Sequence, residues 1–320
     1  MELSPFHDLS HPRIGPLIES PKYMDTKDPC PVFDGLLWHI YGSGGSSAIE
    51  KWHILHAISS KLEGPWEVTH KAQLRGIVGG GLAAPSVVYQ NGIFHMFIQT
   101  HYAEVGSTIE HLVSDDGHYF IYKDTALKSI ADSPEAGIYD PHTAVIAGEK
   151  YLSYSGFPKV GRPDIYLAKS QSHTWDGPWQ RIGKILSHEE ISHHNQLDHP
   201  DYEWGLEGSQ LLALSPTLVL LNAVCFLPHG ARGERQRVFF SVARSIEGPY
   251  LTLGPILNPA NNEWESGENG HAAGVIVDDK LHIFYQARAR SQGKNHWRYG
   301  LVSYNIETIR KIAERRLSML

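Results

Sequence analysis

The sequence has few cysteines, no long apolar run and no excess of positive charge. Its 320 residues include only two cysteines, Cys30 and Cys225, in unrelated apolar segments. We therefore expect buried free thiols rather than a disulfide framework. No apolar segment approaches the roughly 18 residues that a membrane-spanning helix needs. The formal net charge of −7 is unlike the basic surface of most nucleic-acid-binding proteins. These absences predict no membrane partner and no nucleic-acid partner.

Targeting and phosphate-binding motifs are also lacking. The segment from Met1 to Phe6 has no basic stretch followed by an apolar one, which is the pattern of a secretory signal peptide. We therefore expect a cytoplasmic location. Two glycine-rich stretches, 42–46 and 76–81, lack the Gly-Lys-Ser/Thr that phosphate-binding loops require. We interpret both as loops between strands.

What the sequence does contain is an internal repeat. A short apolar strand, a turn and a second strand rich in aromatic and β-branched residues recur five times, and each copy continues into a third strand. In three copies a Gly-Pro-aromatic turn then leads into a fourth strand, at 64–66, 177–179 and 248–250. The five units begin at Asp28, Ala84, Asp140, Glu207 and His271.

The repeat predicts an all-β fold. A unit of 56 to 67 residues is long enough for four antiparallel strands with their loops, which is one blade of a β-propeller. We therefore predict one five-bladed β-propeller over residues 1–320, with no second domain. Helical spacing of apolar residues appears only from Ile306 onward, and it predicts a C-terminal helix over about 305–320.

The first residues of the five units bring ionisable groups together. The first strand of every blade lines the central channel, so Asp28, Asp140, Glu207 and His271 are expected to converge there. Each residue alone has an ordinary explanation, such as an Asp-Pro turn, a solvated glutamate or a structural histidine. Their common place in the repeat favours a shared site. Glycoside hydrolysis uses such a set, because it needs one ionised and one protonated carboxyl group, and a third can raise the pKa of the acid.

The order of these motifs resembles glycoside hydrolase family 43 and its relatives, families 62, 32, 117 and 130. The resemblance rests on Asp28-Pro, Ala84-Pro-Ser, Asp140-Pro, Glu207-Gly and Gly270-His271, and it extends over roughly residues 25–305. It implies that Asp28 is the general base, Asp140 the pKa modulator and Glu207 the general acid of an inverting enzyme. The implied substrates are α-L-arabinofuranosides or β-xylosides. No cofactor is required, but His271 is implied to help hold a central Ca²⁺ ion or an ordered water.

Departures from the family pattern leave other functions open. Leu82-Ala83 stands where many members have an aromatic residue, and Gly208-Ser209 stands where many have Gly-Pro, so the sugar specificity is not fixed. A phosphorylase of a related five-bladed family would need a basic cluster, which is not evident at the blade starts. A non-catalytic propeller that binds a glycan or a protein is the alternative from another functional class.

Further residues are candidates for binding an oligosaccharide or glycoside substrate. Ala84 and His271 belong to the channel positions, Arg288 ends the second strand of the last unit, and Trp204 precedes Glu207. A surface salt bridge for Arg288 and core packing for Trp204 are the ordinary alternatives. The histidine-rich segment from His188 has one residue too many for a HExxH zinc motif. We predict a polar loop there, running to Trp204 and forming one wall of the pocket.

Overall fold

The computed structural model describes residues 12–19, 25–45, 52–69, 71–101, 105–195, 205–226, 236–257, 260, 262–292 and 296–319, without the side chains of 192–195. These residues form 21 strands, two α-helices and a 3₁₀ turn at Arg290–Gln292. The predominance of strands agrees with the all-β class that the repeat predicts.

The strands run as follows in chain order: β1 (Arg13–Ile14), β2 (Asp25–Phe33), β3 (Trp38–Gly45), β4 (His53–Ser59), β5 (Glu67–Val68), β6 (Gln73–Arg75), β7 (Ala83–Gln90), β8 (Ile93–Thr100), β9 (Thr108–Ser114), β10 (Tyr119–Lys128), β11 (Gly137–Ile146), β12 (Glu149–Phe157), β13 (Asp164–Ser170), β14 (Trp179–Leu186), β15 (Leu206–Ser215), β16 (Leu218–Phe226), β17 (Gln236–Ala243), β18 (Leu251–Pro255), β19 (Glu268–Val277), β20 (Lys280–Arg288) and β21 (Arg298–Asn305). The helices are α1 (His188–Asn195), between β14 and β15, and α2 (Ile306–Leu317), after β21.

The strands form five separate sheets, each with its first strand at the inner edge. The sheets have the orders β2-β3-β4-β5, β7-β8-β9-β10-β6, β11-β12-β13-β14, β15-β16-β17-β18 and β19-β20-β21-β1. The inner strands β2, β7, β11, β15 and β19 contact one another in this cyclic order, and β19 contacts β2 again. This is the ring of a five-bladed propeller, as the repeat predicted.

Two strands were not anticipated by the sequence analysis. The outer strand of the fifth blade is β1, which pairs antiparallel with β21 through Arg13↔Val302 and Ile14↔Leu301. The N-terminal side of the chain therefore completes the last blade. The second blade gains β6 as a fifth strand, parallel to β10. Neither β1 nor β6 exceeds three residues, which is too short to show a strand-like alternation in sequence.

The core lies between neighbouring blades. One hydrophobic cluster joins the fourth and fifth blades and includes Phe240, Val242, Ile283 and Tyr285. Ile309 of α2 packs in the same cluster. Asn305 caps α2 by accepting a hydrogen bond from the backbone of Thr308 at 3.0 Å. The predicted C-terminal helix is thus confirmed as a packed element.

Both cysteines are buried, and neither forms a disulfide, as expected. The thiol of Cys30 on β2 contacts the backbone of Val87 on β7, and burial raises its pKa to about 11. Within the described residues, no helix has the length and apolar character that crossing a bilayer requires.

Candidate active site

All five inner strands carry a β-bulge at the same height. The pairing shifts between Lys27 and Cys30, Ala83 and Ser86, Tyr139 and His142, Glu207 and Gln210, and Gly270 and Ala272. One residue in each bulge has a positive φ angle: Asp28 at 54°, Ala84 at 49°, Asp140 at 49°, Gly208 at 58° and His271 at 23°. A bulge bends the strand and redirects its side chain, so these residues stand apart from the regular alternation of the sheet.

This register corrects the repeat alignment in the fourth blade. The residue equivalent to Asp28, Ala84, Asp140 and His271 is Gly208, not Glu207. Glu207 occupies the preceding position, which Lys27 occupies in the first blade. The sequence could not show this offset, because it is defined by the backbone angle and not by a shared residue type.

The bulges are held by polar side chains from the preceding blade. The backbone N–H of Asp28 donates to Gln286 Oε1 at 3.0 Å, and that of Asp140 donates to Gln99 Oε1 at 2.7 Å. The N–H of Ala84 donates to Ser43 Oγ at 2.8 Å. Gln286, Gln99 and Ser43 all lie on the second strand of their blades. A bulged residue loses its partner in the ladder, and these side chains supply the missing acceptor.

One imidazole lies among the three predicted catalytic carboxylates. His271 Nδ1 is 3.1 Å from Asp28 Oδ1 and 3.7 Å from Asp140 Oδ2, and its Nε2 is 3.4 Å from Glu207 Oε1. Asp28 and Glu207 therefore face opposite nitrogens of the same ring. The structure brings these four sequence-predicted residues together.

Burial and mutual charge shift two of these groups. Burial would lower the pKa of His271, but Asp140, Asp28 and Glu207 raise it to about 9. Burial raises the pKa of Asp140 to about 8, against the opposing effect of His271 and with the repulsion of Glu207 and Asp28. At neutral pH the cluster therefore contains an imidazolium and at least one carboxyl proton. Such opposed shifts within one cavity are typical of functional sites.

The cluster borders a pocket on the channel axis. The pocket is lined by Asp28, Pro29, Ala84, Pro85, Asp140, Pro141, His142, Gly208, Ser209, His271 and Ala272. Ala84 thus contributes to the wall, as predicted. Glu207 is only 3 % exposed and is not among the lining residues, but it adjoins His271, which does line the pocket.

Two of the remaining predictions have a different outcome. Arg288 forms a buried ion pair with Glu268, with Nε donating to Oε1 at 2.6 Å, and it lies over the ring of Trp297 at 4.4 Å. It is not among the residues that line the pocket. The ion pair expected as its ordinary alternative is therefore present, but in the interior and not at the surface. Trp204 lies outside the described residues.

The segment from His188 is a helix at its start and not a polar loop. In α1 the side chain of Glu190 accepts a hydrogen bond from the backbone N–H of Ser187 at 2.9 Å, which is how a glutamate near a helix start satisfies an unpaired donor. His188 is directed to Asp164, with Nδ1 2.6 Å from Oδ1. The rest of the predicted wall, including His199, lies outside the described residues.

Several structurally important residues were missed from sequence. Gly208 has no space for a side chain, since a Cβ would lie 2.7 Å from His271 Nδ1. Gln99 and Gln286, which accept hydrogen bonds from the backbone of Asp140 and Asp28, were not identified from the sequence. Both lie on the second strand of their blade, and this shared position could have indicated their role. Recognising it requires the pairing register of the strands, which the sequence does not give.

Comparisons with known proteins identify the fold. No family model matches this chain, and no curated protein matches its sequence. Solved structures do match. An exo-1,5-α-L-arabinanase from a bovine ruminal metagenomic library has a TM-score of 0.64 at 14 % identity, with 89 % of this chain and 94 % of that chain covered. The family 62 α-L-arabinofuranosidase of Coprinopsis cinerea has 0.66 at 14 %, covering 92 % and 96 %. A Bacillus subtilis arabinanase has 0.63 at 17 %, covering 90 % and 96 %. The chain therefore has the five-bladed propeller fold of these glycoside hydrolases.

Proposed function

We propose that this protein is a glycoside hydrolase that acts with inversion of configuration. The observation that carries the proposal is the convergence of Asp28, Asp140 and Glu207 on the two nitrogens of the buried His271. These residues come from four different blades, so their proximity is a property of the ring as a whole. A channel pocket with several carboxyl groups suits hydrolysis of a glycosidic bond.

The proposed roles follow from where each carboxylate lies. Asp28, which lines the pocket and is the most accessible of the three, activates the attacking water as general base. Glu207 protonates the leaving oxygen as general acid. The imidazole ring of His271 lies between Asp28 and Glu207. An inverting pair needs its carboxyl groups roughly 6.5–9.5 Å apart, with room for the attacking water beside the base.

Asp140 is the proposed pKa modulator. It and Glu207 offer a carboxylate oxygen each within a group whose ligand atoms lie within 4.8 Å of one another. At that distance a charge on one carboxyl group disfavours ionisation of the other. Burial is the main cause of the raised pKa of Asp140, about 8, and the charges of Glu207 and Asp28 add to it.

The donor set fits Ca²⁺ poorly. Ca²⁺ usually takes six to eight oxygen ligands, whereas the group formed by Asp140, Glu207 and His271 supplies two carboxylates and one nitrogen. Both nitrogens of His271 already face carboxylates. We therefore assign no step to a metal and expect the reaction to need no cofactor.

The substrate class is an α-L-arabinofuranoside or a β-xyloside. Three solved structures of the same fold are described as an arabinanase or an arabinofuranosidase. A screen of nitrophenyl glycosides, with these two first, tests both the activity and the sugar. If the protein hydrolyses neither of these nor any other glycoside in the screen, the proposal is contradicted.

Two variants test the roles. Glu207→Ala should lose most activity on substrates with poor leaving groups but much less on activated aryl glycosides, which need little protonation. Asp28→Ala should be inactive on both. Asp115→Ala, in the exposed turn between β9 and β10, is the control and should behave as wild type. NMR of the first product should show the inverted anomer, and a retained anomer would reject the assignment.

A glycoside phosphorylase is the second candidate, because of Lys27. Its ammonium lies 4.4 Å from the ring centre of Trp52 and 5.9 Å from that of Trp297. It has no carboxylate within ion-pair distance among the described residues, and its charge lowers the pKa of Asp140. A cation one residue from Asp28 suits an anionic co-substrate. Activity that requires inorganic phosphate and yields a sugar phosphate would favour this function over hydrolysis.

A further inference from the structure

A second cluster of metal-binding side chains lies away from the channel, where the second and third blades meet. His95 is on β8, His111 on β9 and Asp176 in the turn between β13 and β14. One ligand atom from each lies within 4.8 Å of the other two. None of these residues lines the channel pocket.

The two imidazoles are already directed at one another. His95 Nδ1 is 3.0 Å from His111 Nε2. Two nitrogens bound to Zn²⁺ at about 2.0–2.1 Å in tetrahedral geometry are separated by roughly 3.3 Å. The pair therefore needs to widen by only a few tenths of an ångström to place both nitrogens on one ion.

The buried face of His111 has the outer partner that a ligating histidine usually has. His111 is fully buried, and its Nδ1 lies 3.4 Å from Asp124 Oδ1. The two buried atoms are close but do not have hydrogen-bond geometry, and neither has another hydrogen-bond partner. A carboxylate behind a histidine fixes the proton on the far nitrogen and leaves the near nitrogen free to bind a metal. Here that arrangement directs the lone pair of Nε2 toward His95.

The imidazoles are rigid and uncharged. The ring of His111 stacks on Phe97 with centroids 4.6 Å apart, and on His95 at 5.3 Å. Burial lowers the pKa of His95 and lowers that of His111 to about 3. Both are therefore neutral at physiological pH, which is the form that binds metals. Without an ion, one proton lies between His95 Nδ1 and His111 Nε2. When the proton of His95 moves from its Nδ1 to its Nε2, the lone pair of Nδ1 becomes available to a metal without loss of a proton.

The first blade contains the same pair without a third ligand. His39 Nδ1 lies 2.9 Å from His56 Nε2, and the outer nitrogens face Asp34 and Thr69. Among the described residues, no carboxylate completes a group of three there. The histidine pair alone is thus a recurrent packing feature, and Asp176 is what distinguishes the second blade.

We propose that His95, His111 and Asp176 bind Zn²⁺, with Asp124 as the outer partner of His111. A fourth position is left for water, because the carboxylate side is open: the side chain of Asp176 is 46 % exposed. The ion joins the turn of the third blade to the second. Imidazole and carboxylate ligands in this number suit Zn²⁺ better than Ca²⁺.

Lys123 gives the proposal a distinctive test. Its ammonium is 2.5 Å from Asp176 Oδ1 and competes with the cation for that carboxylate. Lys123→Ala should therefore tighten zinc binding by about tenfold, since it removes a unit charge close to the ion. A purely structural role for the cluster predicts no such gain.

The experiment is a titration of chelator-treated full-length protein with Zn²⁺, followed by calorimetry, and by the visible spectrum after Co²⁺ substitution. His95→Gln and Asp176→Asn should each weaken binding more than 100-fold, and Asp124→Asn by roughly 10–100-fold. His173→Gln, an exposed histidine in the same turn that pairs with Glu149, is the control and should bind as wild type. Circular dichroism establishes that each variant is folded.

The channel cluster could also take up zinc, so His271→Gln is titrated in parallel. This variant should keep the tight site. The proposal is overturned if wild type binds no stoichiometric Zn²⁺ at millimolar concentration. It is equally overturned if His95→Gln and Asp176→Asn bind as wild type, or if His271→Gln removes the tight site.

Discussion

The pH dependence of stability should have a maximum near neutral pH, with each side assigned to different buried residues. On the alkaline side the groups are His271 and Asp140, whose pKa values are raised to about 9 and about 8. The folded protein holds both protons more tightly than the unfolded chain. Stability should therefore fall as pH rises from about 6.5, the ordinary histidine pKa, to about 9.

On the acid side the groups are three buried neutral histidines. Burial lowers the pKa of His56 and His111 to about 3 and that of His142 to about 4. The unfolded chain takes up these protons below about pH 6.5, so the fold is destabilised as pH falls. Asp140 opposes this trend, because its proton is bound in the folded state already above pH 3.8.

The magnitude follows from proton counts. One proton of difference between folded and unfolded states changes the free energy of unfolding by about 1.4 kcal/mol per pH unit. On the acid side the unfolded chain binds three more protons at the histidines and the folded protein one more at Asp140, a net difference of two. On the alkaline side the folded protein binds two more protons, at His271 and Asp140. These groups alone give a slope of about 3 kcal/mol per pH unit on each side, and the lowered pKa values of His95 and His282 add to the acid side.

Urea unfolding between pH 5 and 9 measures this curve. His271→Gln should flatten the alkaline side, while His173→Gln, with its side chain 69 % exposed, should leave both sides unchanged. A stability that rises steadily from pH 6.5 to 9 would refute the reasoning about His271 and Asp140.

Three further results are expected. Gly208→Ala should lower kcat about 100-fold and cost about 1–3 kcal/mol of stability. The reason is that a Cβ at a φ of +58° would lie 2.7 Å from His271 Nδ1. Wild-type kinetics would show that the position of His271 is not needed for activity. Ile309→Ala, in the buried face of α2, should cost about 2–5 kcal/mol in urea unfolding with kcat unchanged, and a large fall in kcat at low temperature would connect α2 to the site. Treatment with EDTA should leave glycoside hydrolysis unchanged, and a loss that Ca²⁺ restores would contradict a metal-independent reaction.

Much of the fold was predictable because the blade is a repeated unit whose bulges and turns have recognisable sequence motifs. Asp28-Pro and Asp140-Pro mark the same bulge in two blades, and Gly-Pro-aromatic turns mark the approach to the outer strand. The closure of the ring was not predictable, since β1 is a two-residue strand paired with a segment almost 290 residues away. Pairing at that separation leaves no local pattern in sequence.

The candidate site was predictable in its members but not in its geometry. Asp28, Asp140, Glu207 and His271 meet as expected, yet the equivalent residue of the fourth blade is Gly208. Arg288 was expected to be a surface or substrate-facing cation and is paired with Glu268 in the interior. Such partners are set by packing between strands, which residue types alone do not define.

The acceptors that hold the bulges have a consequence for how this protein can be divided. Asp28 belongs to the first blade, but its backbone is positioned by Gln286 from the fifth, and Asp140 of the third blade is positioned by Gln99 from the second. A single blade, or an incomplete set of blades, therefore contains the candidate catalytic side chains without the neighbouring blade that positions their backbone. Fragments of this chain should be inert even when each retains its own carboxylate, and they should regain activity only when complementary pieces reassociate into a closed circle.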